Sequence, residues 1–189
     1  MKPIVAIVGR PNVGESTLFN RITRKKDALV DNLPGVTRDR HYGDAVWNDK
    51  AFSVIDTGGF AVNDKDEFAE QIRSQVRQAI DDADAVVMTL DGKGGVSPFD
   101  REIIDLLRKV SIPVFYVVNK IDGAEKESEL YDFYSLGLEL LYPVSAEHGY
   151  GIPDFLDDLV RALPDSGTQA SEEMISLAVV GRPNAGNKV

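Results

Sequence analysis

Short apolar runs alternate with periodic apolar stripes along this chain. Ile4–Val8 is a five-residue apolar run that reads as a first strand, and a Gly-containing turn leads from it into a helix starting near Gly14. Ala45–Trp47 and Phe52–Ile55 predict a hairpin across Asn48-Asp49-Lys50. Phe68, Ile72, Val76 and Ile80 recur every four residues and predict an amphipathic helix. Ala85–Leu90 reads as a strand, Ile103, Ile104, Leu107 and Val110 mark a helix, and Ile112–Val118 is the next strand. Leu130, Phe133, Tyr134 and Leu136 predict another helix, and Leu140–Val144 a strand. A final stripe of Ile152, Phe155, Leu156, Leu159, Val160 and Leu163 closes the series. Repeated strand–helix–strand order implies an α/β fold whose mostly parallel sheet is covered on both faces. The helical stripes are core positions.

Past Leu163 the pattern changes. Residues 164–175 are polar and acidic and read as a linker. Ile4-Val5-Ala6-Ile7-Val8-Gly9-Arg10-Pro11-Asn12-Val13-Gly14 then nearly recurs as Ser176-Leu177-Ala178-Val179-Val180-Gly181-Arg182-Pro183-Asn184-Ala185-Gly186, with seven of eleven positions identical. The expected organisation is one domain over 1–163, a linker over 164–175, and the truncated start of a second, duplicated domain over 176–189.

The chain's 189 residues suffice for one such domain with a substantial core. The absence of cysteine excludes disulfides and thiolate metal sites. No apolar run is long enough to span a membrane, which makes the cytoplasm the expected location. The net charge of -10 disfavours nonspecific nucleic-acid binding. A local basic stretch runs against that trend, with Arg21, Arg24, Lys25, Lys26, Arg38 and Arg40 set among Asp27, Asp31 and Asp39. It reads either as a solvated face or as a contact patch for RNA.

Four motifs carry chemistry. Gly9-Arg10-Pro11-Asn12-Val13-Gly14-Glu15-Ser16 follows a strand and opens a helix, the context of a phosphate-binding loop. Backbone N–H groups there point at an anion, and Ser16, with Thr17 beside it, is placed to ligate Mg²⁺. The seventh position calls for a lysine that reaches the terminal phosphates, and Glu15 stands there instead. A like-charge contact at ~4 Å and an effective dielectric of ~20 is worth roughly 4 kcal/mol, and the lost attraction could double it. Weakened nucleotide binding and impaired hydrolysis are therefore expected.

The second motif is Asp56-Thr57-Gly58-Gly59 at a strand end. It offers a carboxylate for an outer-sphere Mg²⁺ contact and a Gly59 N–H for a γ-phosphate. The third, Asn119-Lys120-Ile121-Asp122, also follows a strand. The Asp122 carboxylate can accept the N1–H and N2–H₂ donors of guanine, a pair that adenine lacks. Asn119 can tie loops together, and the Lys120 stem can lie over the base. The fourth, Ser145-Ala146-Glu147, can present backbone N–H groups to guanine O6. Thr37, between the phosphate loop and the Asp56 strand, can reach Mg²⁺ when a γ-phosphate is present and so act as a switch element. His41 and His148 have no metal-ligand spacing.

Together these motifs predict a P-loop GTPase (G domain) with a mostly parallel six-stranded sheet flanked by helices. The residues expected at the reacting phosphate are Asn12, Glu15, Thr37 and Gly59. A rival reading, a catalytically silent module that contacts RNA, protein or a neighbouring G domain, stays open because of Glu15. A P-loop kinase would leave Asn119–Asp122 unexplained.

The chain resembles the translation-factor-related GTPases and, within them, the bacterial tandem GTPases of the Der (EngA) family. The resemblance rests on Gly9-Arg10-Pro11-Asn12, Pro34-Gly35-Val36-Thr37-Arg38-Asp39, Asp56–Gly59, Asp132-Phe133-Tyr134-Ser135-Leu136-Gly137 and the second Gly181-Arg182-Pro183-Asn184. It implies a first G domain followed by a fragment of a second, with the family's KH-like domain absent from this sequence. It also implies a nucleotide-dependent role in maturation of the large ribosomal subunit, through that subunit or its rRNA. Phe60 stands where Ras-like proteins place the Gln that orients water. Relatives with that feature often use K⁺ held partly by the residue matching Asn12, which implies a potassium requirement. Asn187 departs from the pattern as Glu15 does, standing at the lysine position of the second copy.

Overall fold

The computed structural model describes residues 2–23, 41–57, 74 and 76–165. In chain order the elements are β1 (Ile4–Gly9), α1 (Glu15–Thr23), β2 (His41–Trp47), β3 (Lys50–Asp56), a helical stretch α2 over 76–82, β4 (Ala85–Asp91), α3 (Pro98–Leu107) and β5 (Val114–Asn119). A 3₁₀ helix (Ala124–Leu130) then runs into the single turn α4 (Tyr131–Tyr134), followed by β6 (Tyr142–Pro143) and α5 (Ile152–Ala162). The described strands form one six-stranded sheet in the order β2-β3-β1-β4-β5-β6. All neighbours are parallel except β2 and β3.

The parallel centre explains the continuous apolar runs. Every residue of β4 is buried, because helices cover both faces of the sheet. On one face α1 and α5 pack on Val5, Ile7, Phe52 and Val87, with Phe115, Tyr142 and Phe155 meeting at ring-centroid distances of 5.6–6.2 Å. On the other face α2, α3 and the 3₁₀–α4 segment cover Ala6, Val8, Val86 and Met88.

Three elements differ from their expected form. The hairpin strands extend beyond the apolar stretches, from His41 paired with Asp56 to Trp47 paired with Lys50. Asn48 and Asp49 (φ 48° and 61°) make the two-residue turn, a left-handed pair matched to strand twist. The extension includes polar Asp44, which faces Ser53 across the ladder and accepts the Ser53 hydroxyl at 2.8 Å. The helix expected around Leu130–Leu136 is a 3₁₀ helix plus one α turn. Its buried residues, Leu130, Phe133 and Leu136, recur every three positions, the period of a 3₁₀ winding, whereas Tyr134 is exposed. The strand expected over Leu140–Val144 narrows to Tyr142–Pro143.

Helix α3 starts where its cap dictates. The Ser97 hydroxyl accepts the Phe99 N–H, the Asp100 carboxylate accepts the Ser97 N–H at 2.8 Å, and Pro98 opens the first turn. Val110, expected on its stripe, lies past the helix end at Leu107. The phosphate-loop turn, the residues after β3, β4 and β5, and the loop after β6 all lie at the C-terminal ends of parallel strands, where open α/β sheets place ligands. The expected linker from residue 166 onward and the second copy over 176–189 lie outside the described residues.

Candidate nucleotide site

Strand β1 is buried through Val8 and delivers its chain into the loop Gly9–Gly14. Val13, fully buried, pins that loop, and Pro11 and Asn12 are exposed at its crest. Asn12 (φ 69°) and Gly14 (φ 97°) take left-handed backbone conformations. A Cβ on Gly14 would come within 2.4 Å of the Asn119 amide nitrogen, so glycine is required twice over there, by conformation and by space. Helix α1 then opens at Glu15, with Ser16 and Thr17 exposed on its first turn, where unsatisfied N–H groups and the helix dipole favour an anion. Arg10 turns away from the loop. Its guanidinium lies 3.4 Å from Asp100, which is fully buried, and 3.4 Å from the Gly95 carbonyl.

Glu15 points inward. It is 6% exposed, and its Oε1 has no hydrogen-bond partner. Burial, reinforced by the charge of Asp56, pushes its carboxyl well above the ordinary range, so the buried acid favours its neutral form. This softens the like-charge repulsion expected from the sequence and leaves the missing ammonium as the main deficit. Asp56, also buried, ends β3 opposite Ile7 of β1. Thr57 follows, and its hydroxyl donates to the Ile7 carbonyl at 2.8 Å. Thr37, Gly58, Gly59 and Phe60 lie outside the described residues, as do Arg24, Lys25, Lys26, Arg38 and Arg40.

The third motif meets the first directly. The Asn119 side-chain amide donates to the Val13 carbonyl at 2.9 Å, and its oxygen accepts the Ala146 N–H at 2.9 Å. One buried side chain thereby fastens the phosphate loop to the loop after β6. Lys120, in a left-handed conformation (φ 71°), extends its ammonium to the Asn12 carbonyl and to Asp91, each at 2.7 Å. Ile121 is buried. Asp122 receives Lys93 at 2.9 Å, Lys126 at 3.1 Å and the Ser145 hydroxyl at 2.9 Å, and these donors, Lys93 first, hold its carboxyl far below the ordinary range. Of the amides in the fourth motif, Ser145 N–H already donates to Tyr150 and Ala146 N–H to Asn119. A groove of about 580 Å³ between α1 and α5 is lined by Thr17, Ala146 and Glu147 together, so the first and fourth motifs share a surface.

Sequence reasoning missed several participants. Arg21, read as part of a basic patch, instead donates to the carbonyls of Ala146 (2.7 Å) and Glu147, clamping α1 to the fourth motif. Asp91 accepts the N–H groups of Lys93 and Gly94 and pairs with Lys120. The available signal was the turn Asp91-Gly92-Lys93-Gly94-Gly95 directly after a buried strand.

A phosphate loop between a strand and a helix, joined through Asn119 to two further loops at the same sheet edge, defines a P-loop GTPase fold. The chain belongs to the family of 50S ribosome-binding GTPases, whose model matches residues 4–120. It is 56% identical to GTPase Der of Desulforapulum autotrophicum over 98% of this chain and 40% of that protein. It is 49% identical to GTPase Der of Geobacter sp. strain M21, over 98% of this chain and 42% of that protein. The chain thus spans about two-fifths of the length of these curated relatives. Among solved structures it is similar to an Aquifex aeolicus Era variant bound to GDP and AlF₄⁻, with TM-score 0.69 and 30% identity over 95% of this chain and 63% of that one. A structure of Era with MgGDPNP and nucleotides 1506–1542 of 16S ribosomal RNA gives TM-score 0.70 and 29% identity over 92% of this chain and 61% of that one. Among the described residues, no helix is long and apolar enough to cross a membrane.

Proposed function

We propose that this chain is the guanine-nucleotide switch domain of a ribosome-assembly GTPase, with its own turnover suppressed by Glu15. The observation that supports the reading is the Asn119 bridge, which fastens the phosphate loop to the loop whose Ser145 holds Asp122. In this reading Gly9–Thr17 receive the phosphates, Asp122 selects guanine, and the loop over Ser145–Glu147 borders the base. Ser16 and Asp56 supply the hard oxygen donors that suit Mg²⁺. Thr37 and Gly59 respond to the γ-phosphate, and Asn12 takes part in holding K⁺. When bound, the cations offset negative charge developing on the phosphates. The chain's residues position the nucleotide and exclude wrong bases, and among the described residues no side chain is an evident general base. The ribosomal partner, large subunit or rRNA, is proposed from the family and from the Der and Era likenesses.

Glu15 favours a second reading, a module that stays empty or GDP-like and acts by contact alone, since a buried acid with one unpartnered oxygen occupies the place of the lysine. Calorimetric titration of GDP, a non-hydrolysable GTP analogue and ADP into this chain and into Glu15→Lys separates the two. Restoring an attraction of about 4 kcal/mol tightens guanine-nucleotide binding on the order of 10²- to 10³-fold. ADP binds neither form. Equal affinity and turnover in both forms would defeat the charge argument. GTP turnover by Glu15→Lys is expected to be faster in KCl than in NaCl, and equal rates would reject the potassium role.

A further inference from the structure

The donors around Asp122 form a device that its role in guanine selection does not require. An ionised carboxylate offers about four acceptor positions. Three are already used, Oδ1 by Ser145 and Oδ2 by Lys93 and Lys126, and His148 stands 3.9 Å from Oδ1. A guanine edge brings two further N–H donors. The carboxylate cannot hold all five, so one present donor must leave.

Ser145 is fixed by its loop, where its hydroxyl also accepts the His148 N–H at 3.1 Å. Lys126 reaches Asp122 from four residues along its own chain, with its side chain 37% exposed. Lys93 is the most exposed of the three at 56%, and it reaches across from the loop after β4. Its backbone is pinned by Asp91, which accepts the Lys93 and Gly94 N–H groups at 3.1 and 3.0 Å. Asp91 also holds Lys120, which in turn donates to the phosphate-loop carbonyl of Asn12. The ammonium of Lys93 can therefore swing into solvent while the loop that carries it keeps its place.

We infer that Lys93 is an intramolecular placeholder for the guanine edge: its ion pair with Asp122 holds an acceptor position that the base must take over, which makes Lys93 a determinant of guanine affinity. The inference rests on the assignment of Asp122 as the guanine anchor. It turns an ordinary surface ion pair into a competitor that lowers affinity without touching the phosphates.

Two measurements test it, both made on this chain and on its Glu15→Lys form. Lys93→Met keeps most of the aliphatic stem and removes the charge, and is expected to tighten GDP binding by roughly 2- to 5-fold, the range of an exposed ion pair. Acylation footprinting of lysines by mass spectrometry is expected to show Lys93 becoming more reactive when GDP is added. Unchanged or weakened GDP binding in Lys93→Met, or protection of Lys93 by GDP, overturns the placeholder and leaves the guanine assignment standing. No GDP binding by either form at any concentration removes the guanine assignment itself, and the placeholder with it.

Discussion

Two carboxyl groups at opposite ends of the site have opposite fates. Glu15, at the phosphate end, is buried with one oxygen unpartnered, and its proton is held tightly. Asp122, at the guanine end, has three donors and stays ionised far below the ordinary range, chiefly because of Lys93. The difference is one of surroundings, desolvation against hydrogen bonding to the charged form. On the proposed assignment the guanine end keeps an ionised carboxylate already engaged by three donors, whereas the phosphate end lacks its cation.

The largest effect comes from severing the two ends. Asn119→Ala removes both halves of the bridge and leaves the Val13 carbonyl and the Ala146 N–H without their partner in a buried setting. Each such loss costs about 1–3 kcal/mol, so a destabilisation of about 2–6 kcal/mol is expected in urea unfolding. A loss under ~1 kcal/mol would mean that the ends are held together by other contacts.

The next effect separates the two carboxyls by the sign of their pH dependence. Glu15 binds its proton more tightly folded than unfolded, so its stabilisation is full below the unfolded value of 4.5 and falls as pH rises from there through its raised folded value. One proton sets a limit of about 1.4 kcal/mol per pH unit. Asp122 behaves in the reverse sense. Its contribution is present above 3.8 and is lost as pH falls through its depressed folded value. Unfolding midpoints across pH should therefore flatten above 4.5 in Glu15→Gln and flatten below 3.8 in Asp122→Asn. A Glu15→Gln profile parallel to that of the parent chain above 4.5 would contradict the buried-acid assignment.

How much of this was legible beforehand follows the same division. The phosphate loop, the Asp122 motif and the parallel sheet were readable because each is local: an apolar run, a glycine with special backbone needs, a motif after a strand. The misjudged elements were those whose cause is not apolar periodicity. Polar Asp44 lies in the hairpin's extension and accepts a cross-strand hydrogen bond from Ser53, and Leu130, Phe133 and Leu136 follow a period of three. The raised carboxyl of Glu15 and the donors on Asp122 were also hidden, since burial and the charge of distant Asp56 act on the first, and Lys93 reaches the second from 29 residues away. Arg21 was misjudged for the same reason, because its acceptors lie 125 and 126 residues downstream.

Arg21 supplies the smallest test. It joins the helix that opens at the phosphate end to the loop at the guanine end, so it duplicates part of the work of Asn119 from the other side of that loop. The two links differ in setting. Asn119 is buried and its loss strands polar groups, whereas Arg21 is exposed and water can replace it at the Ala146 and Glu147 carbonyls. Arg21→Met keeps the aliphatic packing and removes the donors, and about 1 kcal/mol of destabilisation is expected by urea unfolding. In the double variant with Asn119→Ala the effects should fall short of or exceed simple addition, because both links share Ala146. Strict additivity would show that the two ends are joined independently on each face of the loop, and that the Ala146 peptide does not transmit between them.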